Sequence, residues 1–203
     1  MSLKKLQNST SLHSSRSRTQ VIGILWSSAP DRATGRRTAI AMSRIYAYLK
    51  AARDQVRAIE VLEKQADPKK PSYSSTMIQA FIHAHLYFIC WAAIGRMLEV
   101  IRKCSGLKAP NTVWKRYRTE IKRYIEARDH FEHYEERLPG GKKSAALVNP
   151  GDYGSLHHGW FSLGGYRWDV SNHGLLLLAT IVNAMSLGVC DENRRNDRQR
   201  AEV

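Results

Sequence analysis

The chain has 203 residues, 43% hydrophobic and 25% charged, a size and composition suited to one globular domain with tails. Its net charge of +14 comes from 32 Lys and Arg against 18 Asp and Glu, a balance that favours anionic partners such as nucleic acid, an acidic protein or a lipid surface. Cys90, Cys104 and Cys190 are far apart and form no Cys-x-x-Cys pair, so no cysteine metal or redox motif is present and the thiols read as reduced, in a cytoplasmic protein.

Residues 1–41 carry seven basic residues (Lys4, Lys5, Arg16, Arg18, Arg32, Arg36, Arg37) against one acid, Asp31. They are Ser- and Thr-rich, without sustained apolar periodicity, and read as a disordered basic leader. The only short apolar patch runs from Val21 to Trp26, which does not make a secretory signal. An Arg- and Ser-rich, acid-poor leader is compatible with a transit peptide, but a patterned helix opens at Met42, and the preferred expectation is that translation starts there.

The helical domain is expected over residues 42–190. Its first helix runs from about Ser43 to Ala66, with Ile45, Leu49, Ala52, Val56, Ile59 and Leu62 on one stripe; Asp67, Pro68 and Pro71 end it. The second starts at Ser74 or Ser75 as cap and continues to about Lys103. It is apolar on most faces, as befits a central helix. The third follows Asn111 or Thr112 and extends to about Leu138, where Pro139-Gly140-Gly141 stops it. Its stripe of Trp114, Tyr117, Ile121, Tyr124, Arg128, Phe131, Glu135 and Leu138 contains two charged members. Residues 155–170 then read as a β-hairpin folded across Gly164-Gly165. The last helix begins at Ser171 or Asn172, and residues 191–203 form a solvated charged tail. The fold expected is mainly all-α, an up-down four-helix bundle with a small hairpin before the last helix. The apolar stretches 76–94 and 175–190 read as core helices rather than membrane spans, since the first contains Gln79, His83 and His85 and the second is short.

The chemistry concentrates in the third helix, in the run Glu126 to Arg137. Arg128 stands where the stripe expects an apolar residue, and a buried charge is costly unless paired. Either it forms a structural ion pair with Glu132 or Glu135, or it faces a cleft. Arg128-Asp129-x-x-x-His133 resembles the R-x4–6-H signature of HEPN domains (higher eukaryotes and prokaryotes nucleotide-binding), many of which are ribonucleases of toxin–antitoxin, phage-defence or RNA-targeting systems. Arg123 to His130 and Arg167 to His173 also match the bare spacing, but Tyr124 and Trp168 follow those arginines, where a polar residue is common in the family.

The resemblance implies a metal-independent endoribonuclease without cofactor, acting as a homodimer on RNA, with an acidic antitoxin as a further partner. Arg128 and His133 lie about 140° apart on an ideal helix, so a two-fold dimer is needed to aim both at one phosphate. His133 is then general base or acid for attack by the 2′-OH. Arg128 holds the scissile phosphate, Asp129 orients His133, and His130 is auxiliary. Lys115, Arg116, Arg118, Lys122 and Arg123 are candidates for an RNA-tracking face, with a solvated helix face as the plain alternative. A non-catalytic helical module binding nucleic acid or protein is the rival function. No Glu-x-x-His pair occurs, which speaks against a di-iron bundle, and no metal site is expected. Trp160, Tyr166 and Trp168 are read as covering the bundle end more readily than as base-stacking residues.

Overall fold

The computed structural model describes residues 15–132, 155–163 and 165–202. Five helices and a three-stranded antiparallel sheet occupy them: α1 (Ser15–Ser27), α2 (Arg32–Gln65), α3 (Tyr73–Cys104), α4 (Ala109–Glu132), β1 (Ser155–His157), β2 (Trp160–Leu163), β3 (Tyr166–Asp169) and α5 (Asn172–Ala201). The mainly-α expectation is met, with α1 additional to the four helices expected and the small hairpin before the last helix extended to a three-stranded sheet. The chain divides into two compact units, residues 1–47, 96–118 and 179–203 in one, 48–95 and 119–178 in the other, and α2 to α5 each contribute a stretch to both.

In the first unit, folded structure begins well before Met42. The segment expected as a disordered leader is helical from Ser15, and Val21 and Leu25 are fully buried while Ile24 is nearly so. The short apolar patch is therefore one face of a helix, with members at i, i+3 and i+4. Asp31 starts α2 by accepting hydrogen bonds from the Thr34 N–H (2.9 Å) and hydroxyl (2.7 Å). The buried Thr38 hydroxyl donates to the Leu25 carbonyl at 3.0 Å and ties α2 to α1. A Cβ on Gly35 would stand 2.5 Å from the Trp26 carbonyl oxygen, so that contact requires glycine.

The charged tail is likewise helical, to Ala201. It is more than a solvated extension: the Glu192 carboxylate accepts the N–H groups of Lys108 (2.8 Å) and Ala109 (2.7 Å) at the start of α4. Neither Asn111 nor Thr112 is the cap, because the first free N–H groups are taken by a side chain 83 and 84 residues away in sequence.

The second unit is built on aromatic packing. Tyr87, Phe88 and Trp91 of α3, Phe161 of β2 and Trp168 of β3 are nearly or wholly inaccessible. Trp91 stacks on Tyr124 of α4 with centroids 3.9 Å apart. Rings of this size contribute most of the apolar area a small core buries. The α2 stripe also behaves as expected here: Leu49, Ala52, Val56 and Ile59 are buried. Gly95 lets α3 approach α4, since a Cβ there would lie 2.7 Å from the Ile121 Cγ2. The α3 helix starts earlier than Ser74, with the Ser72 carbonyl accepting the Thr76 N–H at 3.0 Å.

The sheet has strand order β1-β2-β3. The hairpin across residues 164–165 is present, with Leu163 opposite Tyr166 and Gly165 at φ +80°; Gly164 lies outside the described residues. The first arm, expected as one strand, is itself a hairpin. Leu156 pairs with Phe161 and His157 with Trp160, around His158 and Gly159 at φ +49° and +72°. Two consecutive positive φ values define the tight primed turn that matches sheet twist. The Gly159 N–H donates to the Glu63 carboxylate at 3.1 Å, and Ser171 Cβ would be 2.6 Å from any Cβ on that glycine.

Two helices, α3 and α5, are long and apolar enough to cross a membrane, and 44% and 56% of their most apolar stretches are buried within the fold.

Candidate functional site

Among the described residues the only HEPN-motif members placed are Arg128, Asp129 and the auxiliary His130; His133, Glu135 and the expected helix end at Leu138 lie outside them. The inward positions of α4 in the second unit are Ile121, Tyr124 and Ala127, at 1%, 5% and 0% exposure. Arg128 is therefore not a member of the buried stripe. The stripe advances by three from Tyr124, and Ala127, too small to register in a pattern of large apolar residues, takes the core position. Arg128 sits beside it with a side chain 24% exposed.

Its guanidinium is engaged by neighbours. Nε donates to Glu132 Oε1 at 2.7 Å, Nη2 donates to the other oxygen of the same carboxylate, and Nη1 donates to Asp129 Oδ1 at 3.2 Å. This is the two-point guanidinium–carboxylate geometry, and it matches the ion-pair alternative with Glu132. Asp129 is thereby committed to Arg128.

His85 of α3 stands near this pair. The His85 ring stacks on Phe131 with centroids 5.0 Å apart, and its Nε2 is buried without a hydrogen-bond partner among the described residues. Burial holds its pKa below the ordinary histidine value. The Arg128 charge acts in the same direction, and the Glu132 carboxylate opposes both. His83, by contrast, is hydrogen-bonded, with Nδ1 2.7 Å from Gln55 Oε1.

The five basic candidates of α4 are all exposed: Lys115, Arg116 and Arg118 in the first unit, Lys122 and Arg123 in the second. None of them takes part in an ion pair among the described residues. Lys115, Arg118 and Lys122 recur at three- and four-residue steps, which puts them on one side of the helix. Arg123 has a second role, donating from Nη2 to the Arg167 carbonyl while its own carbonyl accepts the Trp168 indole N–H at 2.9 Å.

The hairpin aromatics divide. Trp168 covers the core at 2% exposure, whereas Trp160 and Tyr166 are 37% and 50% exposed. The His130 ring lies 5.2 Å from that of Tyr166 and 5.7 Å from that of Trp168. His157 and His158, at the β1–β2 turn, are exposed.

At the junction of β3 and α5 the structure builds a pair, Asp169 and His173, that the sequence did not single out; His173 entered only as the far end of the Arg167 spacing match. Asp169 is 8% exposed. Its Oδ1 accepts the N–H (2.9 Å) and hydroxyl (2.6 Å) of Ser171, and Oδ2 lies 2.8 Å from Nδ1 of His173. Burial resists ionisation of Asp169 and is its largest single influence, but the Ser171 and His173 contacts together outweigh it and set the carboxyl below its ordinary value. The sequence signal that could have found this pair is the Asp-x-x-x-His spacing across a helix start.

No group of three or more His, Cys, Asp or Glu that could hold a metal ion occurs among the described residues. No family model, curated protein or solved structure matches the chain.

Proposed function

We propose that the protein is a helical RNA-binding module in which α4 tracks the phosphate backbone. The observation that carries this reading is the set of five exposed basic residues, Lys115, Arg116, Arg118, Lys122 and Arg123, outside any ion pair among the described residues, on a chain of net charge +14. Each phosphate neutralised releases condensed counterions, so binding weakens steeply with salt.

A second reading is the HEPN-like, metal-independent endoribonuclease acting as a homodimer in the cytoplasm, with an acidic antitoxin as regulator. It is supported by the Arg128-Asp129 dipeptide five residues before His133. In that reading RNA or a second protomer displaces Glu132 from Arg128, because a guanidinium already held by two carboxylates is a weak phosphate clamp. The exposed Ile78, Ile82 and Leu86, at four-residue steps on α3, support self-association through an apolar face.

One experiment addresses both: labelled single-stranded RNA is titrated with protein in EDTA at several salt concentrations, with binding and cleavage read together. The binding reading expects salt-dependent association without cleavage. It also expects a log–log salt slope shallower by about 1.4 in Lys115→Ala/Lys122→Ala, at ~0.7 per phosphate contact on a single strand. Cleavage abolished by Arg128→Ala and by His133→Ala establishes the nuclease instead. No association at low salt refutes both.

A further inference from the structure

The three-stranded sheet has an open face with its own chemistry. Strand alternation and the register Ser155–Ser162, His157–Trp160, Trp160–Asp169 and Ser162–Arg167 place Ser155, His157, Trp160, Ser162, Arg167 and Asp169 on one side. Leu156, Phe161 and Trp168 lie on the other side and are buried. On the open side, the Arg167 guanidinium lies over the Trp160 indole at 4.9 Å. Both residues remain exposed, so a guanidinium cation lies over an aromatic ring on a face open to solvent.

Asp169 is turned to Ser171 and His173, leaving His173 84% exposed. With Nδ1 turned to the Asp169 carboxylate, Nε2 is the ring nitrogen that His173 offers for a further hydrogen bond. The nearby carboxylates of Glu60 and Glu63 are occupied by the Asn172 amide and the Gly159 N–H. Arg123 adds a second guanidinium at β3, donating to the Arg167 carbonyl, and β3 is an edge strand.

We propose that this face is a binding site for single-stranded RNA, separate from the Lys115, Arg118 and Lys122 side of α4 and sharing only Arg123 with that helix's basic set. The inference rests on the reading of the protein as RNA-binding. An unpaired base extends the Trp160–Arg167 stack, Arg167 and Arg123 meet the flanking phosphates, and Nε2 of His173 hydrogen-bonds with a ribose 2′-OH, which can donate or accept. The chemistry selects this occupant. A base plane matches the stacked pair, the phosphates match the two arginines, and a duplex keeps its base planes covered. The 2′-OH contact gives the site a preference for RNA over DNA.

The test is fluorescence anisotropy of the full chain with fluorescein-labelled oligoadenylate RNA, the same sequence as DNA, and an RNA duplex. Trp160→Ala and Arg167→Ala are expected to weaken single-strand binding about tenfold or more, the scale of one lost base stack, while leaving duplex binding unchanged. Trp160→Phe keeps most of the affinity, and Trp160→Leu, which preserves apolar cover without an aromatic plane, loses it. His173→Ala narrows the difference between RNA and DNA. Lys50→Ala removes one exposed charge outside the sheet and sets the size of a purely electrostatic effect.

Equal losses in Arg167→Ala and Lys50→Ala, with Trp160→Leu at wild-type affinity, overturn the sheet site and leave α4 binding standing. Losses of equal size on single-stranded and duplex RNA also overturn it. Absence of RNA binding in the wild type overturns both readings.

Discussion

Gly174 in the first turn of α5 sets two opposing effects against each other, and the structure decides between them. Helix propensity alone says that Gly174→Ala stabilises by up to about 1 kcal/mol. The added Cβ, however, would stand 2.4 Å from the Asp169 carbonyl oxygen and 3.0 Å from the Tyr87 hydroxyl oxygen. The carbonyl is backbone and already accepts the Tyr124 hydroxyl at 2.9 Å, so it cannot rotate aside as a flexible side chain would. Overpacking of this kind costs about 1–3 kcal/mol, and a contact this short places the substitution at the upper end. The expected net loss is about 2 kcal/mol, or roughly 4–8 °C in the unfolding midpoint for a chain of this size. Gly23 in α1 is the control: a Cβ there meets nothing within 4 Å, so Gly23→Ala should raise the midpoint by up to about 4 °C. Thermal melts by circular dichroism, repeated as urea titrations, measure both. A Gly174→Ala protein as stable as the wild type, or more so, refutes the close approach of α5 to β3.

Glu192→Ala leaves the first N–H groups of α4 without their carboxylate, and a shift of the urea midpoint equivalent to about 0.5–2 kcal/mol is expected. The Asp169 carboxyl titrates below its ordinary value of 3.8 in the folded chain. Its ionised form therefore stabilises fully above that value, and the contribution is lost as pH falls through the lower folded-state pKa. Asp169→Asn should accordingly flatten the acid limb of a stability–pH curve, and an unchanged limb counts against the Ser171 and His173 contacts. Burial pushes the Cys90 thiol up to about 11, so iodoacetamide near neutral pH should leave it unmodified in the native protein and label it after denaturation, as mass spectrometry of tryptic peptides will show. Arg128→Ala breaks a partly exposed ion pair and should change stability by less than about 1 kcal/mol in the same melts; a larger loss would give Arg128 a structural weight that its exposure does not suggest.

The candidate site was only partly legible in the sequence. The Arg128-Asp129 dipeptide was visible, but its Glu132 partner was one of two equal possibilities, because i+4 and one-heptad spacings both permit a pair. The Asp169–His173 pair and the Trp160–Arg167 stack were harder to see. The first bridges a strand end and a helix start, and the second depends on a cross-strand diagonal that exists only once the β2–β3 register is set.

By itself, the sequence determined the periodic elements. The α2 stripe, the apolar α3, the Gly-Gly hairpin and the start of α5 at Ser171 follow from local spacing and turn chemistry, because each depends on residues within a few positions of one another. Tertiary structure alone decided the rest. The leader becomes α1 because Val21 and Leu25 find a buried surface, and the charged tail becomes helix and cap because Glu192 reaches the start of α4. Ala127, rather than Arg128, faces the core because a small side chain fills the inward position beside Tyr124. These outcomes depend on contacts between residues distant in the chain, and short-range periodicity carries no information about such partners.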